Sequence, residues 1–208
     1  MPSKWRNIHI GGLDVGVLFV STDHHFSILL LVTLLERKLK RILRKVQSLE
    51  PGKGSSIVEE IRADSLKRLT LYQSFSKHQL LINFCSVKTY ILSHPQSSVV
   101  IIDSLTAYYW EDRMTSTTIQ SLEQYCQALL NHLIEKLRQT NITIIYTIQR
   151  FLREGQEKDS TNFDVTYNYA ITLDKGEKFE AVVEDRRTPK NFTRNFEMIK
   201  GELCFNNS

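Results

Sequence analysis

Three polar side chains follow predicted strands at positions where parallel sheets often place their chemistry. Asp103 ends the apolar run 99–102, Asp23 follows the run 15–20, and Gln149 follows the run 142–148. Ligands bind at the carboxyl edge of such sheets, so these side chains are expected to converge on one crevice. There, Asp103 could hold a magnesium ion, Asp23 could position a water, and Gln149 could sense a nucleotide phosphate. The alternative is that all three are turn residues that close strands, and the pattern alone leaves both interpretations open.

A phosphate-binding loop is missing from the printed sequence. Such a loop reads Gly-x-x-x-x-Gly-Lys-Ser/Thr between a strand and a helix, because backbone N–H groups and a lysine must surround the phosphates. The nearest candidate is the segment 51–56, but Gly54 stands where a hydroxyl residue is required and no glycine precedes Gly52 by five residues. We interpret residues 51–56 as a turn or flexible linker.

The order of apolar patterns predicts an α/β protein. Strands are expected at residues 15–20, 68–73, 98–103 and 142–148, and helices at residues 26–46, 57–66 and 117–139. A further helix is expected to run to about residue 93, with Ser74 or Ser76 as its cap. Because strands and helices alternate, right-handed crossovers predict a largely parallel sheet flanked by helices. The Val/Ile run before Asp103 predicts a central strand that is buried on both faces. Short apolar runs near residues 167–173, 179–184 and 193–199 predict an antiparallel meander.

Composition restricts the class of protein. The 208 residues are 41% hydrophobic and 24% charged, which is ordinary for a globular domain. The net charge of +4 is compatible with a nucleic-acid partner. The three cysteines lack the spacing of a zinc site or a disulfide framework, so a reducing intracellular compartment is expected. The longest apolar run, residues 28–35, is too short to span a bilayer, and no membrane partner is predicted.

Two further motifs each allow more than one interpretation. Six basic residues in the segment 37–45 predict a helix with one basic face. This face either binds phosphates, acts as a nuclear import signal, or is an ordinary solvated surface, and the solvated surface is favoured. The aromatic run Tyr108-Tyr109-Trp110 either stacks on nucleic-acid bases or packs in the core, and packing is favoured.

With these motifs in view, the chain resembles the RecA-like recombinase superfamily, and specifically the eukaryotic Rad-type recombinase paralogues. The resemblance extends from residue 11 to about residue 149, and the segments that carry it are 11–26, 31–36, 93–95 and, most strongly, 101–113. It implies a RecA-like P-loop NTPase core with a largely parallel sheet and C-terminal antiparallel strands. In that family a strand and the phosphate loop precede the segment that matches Gly11. We therefore expect a single core domain over residues 1–208 that is truncated at its N-terminus, with a sheet edge that needs cover.

The resemblance implies roles for the residues at the strand ends. Asp103 takes the position of the Walker B carboxylate that binds magnesium, with Ser104 beside it, and Gln149 matches the sensor glutamine. Asp23 falls where active recombinases carry the catalytic glutamate, and it is expected to be inactive because its side chain is one methylene shorter. ATP and magnesium are the implied cofactors, although the lack of a phosphate loop speaks against their binding.

The resemblance also implies a function and its partners. Arg150, Arg153 and Lys158 lie in the segment 150–162, which stands where the family has its second DNA-binding loop. We expect a nuclear, non-catalytic subunit of a recombinase-paralogue complex in homologous-recombination repair. Its implied partners are other paralogue subunits, with the D paralogue as the first candidate, and single-stranded or branched DNA. The alternative is a DNA-dependent ATPase whose phosphate loop is missing from this sequence.

Overall fold

A computed structural model describes most of the chain. The described residues are 1–6, 8–45, 54–116 and 121–149, together with the backbone of the strand segments 167–173, 178–185, 191–199 and 202–205. The chain divides into two compact units, Met1–Glu157 and Lys158–Ser208.

Alternating strands and helices build the first unit, as the apolar pattern predicts. Its strands are β1 (Lys4–Trp5), β2 (Ile8–His9), β3 (Gly16–Ser21), β4 (Leu69–Gln73), β5 (Ser97–Asp103) and β6 (Thr143–Tyr146). Its helices are α1 (Ile28–Lys45), α2 (Gly54–Lys67), α3 (Lys77–Ser93), α4 (Tyr109–Thr115) and α5 (Leu122–Leu137). Strands β1 and β2 form an antiparallel hairpin, whereas the other four form a parallel sheet in the order β4-β3-β5-β6. The predicted α/β fold class is confirmed.

The strand that ends in Asp103 lies inside the sheet, between β3 and β6. Its Val100 and Ile102 pair in register with Leu18 and Val20 of β3, and all four side chains are buried. On the opposite face of β5, Ile101 is only half-buried. The central position is confirmed; of the two predicted buried faces, the one with Val100 and Ile102 is buried and the one with Ile101 is half-buried.

The edges of the parallel sheet are β4 and β6 among the described strands. On β6, Ile145 keeps 49% of its surface exposed. An edge strand presents backbone N–H and C=O groups that can pair with a further strand. The expectation that an edge of the sheet needs cover stays a prediction.

Local signals set the ends of the helices. Ser76 caps α3 because its Oγ accepts a hydrogen bond from the Gln79 N–H at 3.3 Å, and Ser121 begins α5 with a capping box that involves Gln124. The predicted helix 117–139 begins at Leu122, and the preceding helix α4 was not predicted. Residues 54–56, predicted as part of a turn, already belong to α2.

A small apolar cluster joins α1, α2 and the N-terminal segment. Its buried members are Ile10, Leu39, Leu43, Ile57, Val58 and Ile61. Leu39 and Leu43 lie one helical turn apart, so a single stripe of α1 faces α2. This stripe fixes which side of α1 faces the protein and which side faces solvent.

The second unit contains the three predicted antiparallel strands and a fourth that was not predicted. The predicted strands are β7 (Tyr167–Leu173), β8 (Lys178–Asp185) and β9 (Asn191–Ile199), the fourth is β10 (Glu202–Phe205), and each pairs with its neighbour along the chain. Within the described part of the chain, no helix has the length and apolar character needed to cross a membrane.

Candidate functional site

The carboxyl edge of the parallel sheet is held together by hydrogen bonds between strand ends. Thr22 follows β3, and its Oγ1 donates to the Ser104 carbonyl at 2.7 Å and accepts from the Ser104 N–H at 2.6 Å. The Thr22 N–H donates to the Asp103 carbonyl at 2.8 Å. These contacts bring the segment that carries Asp23 against the end of the Asp103 strand, as predicted for a parallel sheet.

Asp103 stands at the C-terminal end of β5 with a half-buried side chain. Its Oδ1 accepts a hydrogen bond from the hydroxyl of Thr147, which follows β6. The peptide bond from Asp103 to Ser104 is cis. Asp103 is thus oriented by a hydroxyl from the neighbouring strand, and its carboxylate lies at the edge where the sequence places a magnesium ligand.

Ser104 and Gln149 reach the same edge through Thr106. The hydroxyls of Ser104 and Thr106 lie 3.1 Å apart, and the Gln149 N–H donates to Thr106 Oγ1 at 3.2 Å. Ser104 is buried, whereas Gln149 is exposed. The main-chain N–H of Gln149 therefore holds this residue beside the strand ends. Its exposed side chain is accessible to a ligand, as a sensing residue requires.

Asp23 lies in a tight turn with its own neighbour. Its Oδ1 accepts from the His25 N–H at 3.2 Å, and its Oδ2 is 3.3 Å from His25 Nδ1. Between these residues, His24 adopts a left-handed φ of 60° and stacks on Phe75 with ring centroids 4.4 Å apart. Both oxygens of Asp23 are engaged within the turn, which is how an aspartate commonly closes a strand-to-loop connection.

A buried tyrosine joins two segments of this edge through its hydroxyl. The Tyr108 hydroxyl donates to the Thr22 carbonyl at 3.1 Å and also contacts the Ser74 carbonyl, at the end of β4. Asn83 donates to Ser74 Oγ at 2.9 Å. Burial is the main cause that raises the pKa of Tyr108, so its hydroxyl keeps its proton. Tyr108 and Tyr109 are thus packing residues, while Trp110 is 52% exposed.

The structure brings together part of the predicted site. Asp103 ends a strand, and Asp23, Ser104 and Gln149 follow strand ends at the same edge, whereas the predicted DNA contacts Arg150, Arg153 and Lys158 lie outside the described residues. The roles of all these residues stay predictions. Sequence reasoning missed three hydroxyl residues that connect the strand ends, namely Thr22, Thr106 and Thr147. Their signal was a threonine within a few residues of each predicted strand end.

The described residues supply only a fraction of a nucleotide–magnesium site. Magnesium in such sites is held by one or two carboxylates together with the phosphates, and the phosphates need a cradle of N–H groups and a lysine. Asp103 offers the carboxylate, but the Ser104 hydroxyl is buried against Thr106. Among the described residues, no three His, Cys, Asp or Glu side chains form a cluster. Asp103 therefore fits the carboxylate of a Walker B motif. The described residues do not add the lysine and the loop of N–H groups that would bind the phosphates.

A parallel sheet with a carboxylate at the end of an inner strand, followed along the chain by antiparallel strands, defines an α/β protein of the class to which RecA-like cores belong. No protein-family model matches the chain. It is 32% identical over 151 residues to the mouse DNA repair protein XRCC2, covering 71% of this chain and 48% of the mouse protein. It is 26% identical over 173 residues to the Arabidopsis thaliana XRCC2 homolog, covering 73% of this chain and 44% of the plant protein. The chain is therefore related to the XRCC2 proteins and spans about half the length of these curated relatives.

Proposed function

We propose that this protein acts in homologous-recombination repair of DNA double-strand breaks, as a non-catalytic subunit of a recombinase-paralogue complex. The observation that carries the proposal is the 32% identity to the mouse DNA repair protein XRCC2 across 71% of the chain. Its partners are other paralogue subunits, with the D paralogue first among them, and single-stranded or branched DNA. The nucleus is the compartment that this function requires.

One feature of the described residues supports a role without ATP hydrolysis. Both carboxylate oxygens of Asp23 contact His25, so this acid is engaged in a turn at the position where an active recombinase activates water. In such a subunit, the sheet acts as a scaffold that presents binding surfaces.

Repair in cells tests the proposal directly. Cells that lack the gene are complemented with the natural gene product, and homologous recombination is measured with a chromosomal reporter together with survival after a DNA cross-linking agent. We expect complementation to restore both readouts and the tagged protein to co-purify with the D paralogue. Unchanged repair at normal protein abundance in the nucleus would contradict the proposal.

A DNA-dependent ATPase is the second candidate, and the geometry of Asp103 favours it. This carboxylate is half-buried at the end of an inner strand and is oriented by Thr147. The candidate requires an in-frame Gly-x-x-x-x-Gly-Lys-Ser/Thr in the coding sequence upstream of Met1. The test is phosphate release by the natural gene product with single-stranded DNA. Hydrolysis that stops in Asp103→Asn would favour the ATPase over the non-catalytic subunit.

A further inference from the structure

The side of α1 that faces solvent carries a continuous block of positive charge. The segment 37–45 holds nine residues, and its buried or half-buried members, Leu39, Ile42 and Leu43, face the apolar cluster with α2. Every other residue in the segment is basic and exposed. We call these residues the α1 basic face: Arg37, Lys38, Lys40, Arg41, Arg44 and Lys45.

Helix geometry places these six side chains on one surface. Successive residues are about 100° apart around a helix, so the six positions fall within an arc of about 160° opposite Leu39 and Leu43. They extend about 12 Å along the helix axis. The α1 basic face is therefore a compact cationic strip of a size that suits several neighbouring phosphates of a nucleic-acid strand.

Acidic side chains of α1 do not neutralise this strip. The only acidic residue in α1 is Glu36, which accepts from Arg62 Nη1 at 2.5 Å and lies 3.8 Å from Lys40 Nζ. Arg37 and Arg41 also interact with other groups of the protein. The inference therefore rests on Lys38, Arg44 and Lys45, which form no ion pair with the described acidic residues.

Helix stability explains only part of this arrangement. Basic residues in a last turn interact favourably with the helix dipole, which accounts for Arg44 and Lys45 but not for Arg37 or Lys38 two turns earlier. Like charges three or four residues apart destabilise a helix by a few tenths of a kcal/mol for each pair. The strip thus carries a repulsive cost that a polyanionic ligand would relieve.

We propose that the α1 basic face binds the phosphate backbone of nucleic acid, an inference that rests on the proposed function. Phosphate binding needs cations alone, because the affinity comes largely from the release of counterions. Protein interfaces instead have an apolar core in which lysine is depleted. Between residues 37 and 45, no apolar or aromatic side chain lies on the exposed face, so nucleic acid fits the strip better than an acidic protein does.

The salt dependence of binding to labelled single-stranded DNA tests this assignment. The test variant is Lys38→Gln/Arg44→Gln/Lys45→Gln in the full chain, measured by fluorescence anisotropy from low to moderate salt. The matched control is Lys67→Gln/Lys88→Gln/Arg138→Gln, which removes the same residue types from exposed positions elsewhere in the first unit. A third variant, Lys38→Arg/Arg44→Lys/Lys45→Arg, keeps the charge and exchanges only the side-chain shape.

Each lost phosphate contact lowers the slope of log affinity against log salt by about 0.7 for single strands. We expect the test variant to lose a slope of about 2 and its affinity at about 0.1 M salt to fall on the order of 100-fold. The control and the charge-keeping variant should retain the wild-type slope. Circular dichroism checks that all variants fold alike.

Two results would overturn the inference. The first is an equal loss of slope in the test variant and the control, which would reduce the effect to net charge. The second is an unchanged slope in the test variant, and a simultaneous loss of nuclear import would then identify an acidic protein as the partner. Neither result touches the proposed function, because complementation of repair in cells is measured independently of α1.

Discussion

Thr22 and Ser104 hold each other through two hydrogen bonds, although they lie 82 residues apart in the chain. The Thr22 hydroxyl donates to the carbonyl of Ser104 and accepts from its N–H, and both residues are buried. This reciprocal pair joins the segment after β3 to the segment after β5. The Thr22 hydroxyl therefore helps to fix the relative position of Asp23 and Asp103, together with the bond from the Thr22 N–H to the Asp103 carbonyl.

The contribution of the Thr22 hydroxyl to the stability of the first unit should be measurable. In Thr22→Val the methyl groups keep the volume, but the buried N–H and carbonyl of Ser104 lose their partner. We expect the free energy of unfolding to fall by about 1–3 kcal/mol, measured by urea denaturation. Thr22→Ser keeps the hydroxyl and should lose less than half as much. Equal losses in both variants would show that packing, not hydrogen bonding, holds this position.

Asp103 is expected to be dispensable for repair under the proposed function. Asp103→Ala removes the carboxylate that accepts a hydrogen bond from the Thr147 hydroxyl. Thr147 is exposed, so its hydroxyl can bond to water instead. Complemented cells should repair DNA breaks almost as well as the wild type, as measured with a recombination reporter. A severe defect at normal protein abundance would show that this acid performs chemistry.

Gly16 at the start of β3 should not tolerate a side chain. A Cβ at this position would lie 2.6 Å from Ser97 Oγ and 3.1 Å from Ser97 Cα on the neighbouring strand. We expect Gly16→Ala to destabilise the protein by about 1–3 kcal/mol in thermal or urea unfolding.

Gly54 at the start of α2 provides the control for this substitution. A Cβ there would meet nothing within 4 Å, so Gly54→Ala should be neutral or stabilise by up to about 1 kcal/mol. If the two alanine variants were equally stable, close packing between β3 and β5 would not explain why residue 16 is a glycine.

Two cysteines should differ sharply in reactivity. Cys85 is exposed, whereas burial, with a smaller contribution from Glu123, raises the pKa of the Cys126 thiol to about 12. Only the thiolate reacts, so Cys126 stays protonated and protected at pH 8. Iodoacetamide should modify Cys85 in the native protein and both residues in urea, as measured by peptide mass spectrometry. Rapid native labelling of Cys126 would indicate that α5 opens readily.

The strands and helices of the first unit were largely predictable because their apolar periodicity reflects burial. The dense Val/Ile run before Asp103 predicted an inner strand, and Ser76 was one of two proposed caps for α3. Helix α4 was missed because its residues show no long apolar stripe. The segment 54–56 was misassigned because glycine and serine favour turns, whereas Gly54 here begins α2.

The candidate site was predictable only in outline. The rule that parallel strands end at one edge placed Asp23, Asp103 and Gln149 together. Which polar groups contact one another depends on register and side-chain direction, which are long-range properties. Thr147 reaches Asp103 because β5 and β6 are neighbours.

The sequence by itself determined that this is an α/β protein with a carboxylate after an inner strand, because local apolar patterns report burial directly. It also determined that residues 37–45 carry a helix with six basic residues. Only the tertiary structure decided that Thr22 joins Ser104 and that His25 engages Asp23. It likewise decided that α1 turns its basic face outward, because packing of Leu39 and Leu43 against α2 fixes the rotation of the helix. Contacts between residues far apart in the chain follow from the packing of whole elements, which no local pattern encodes.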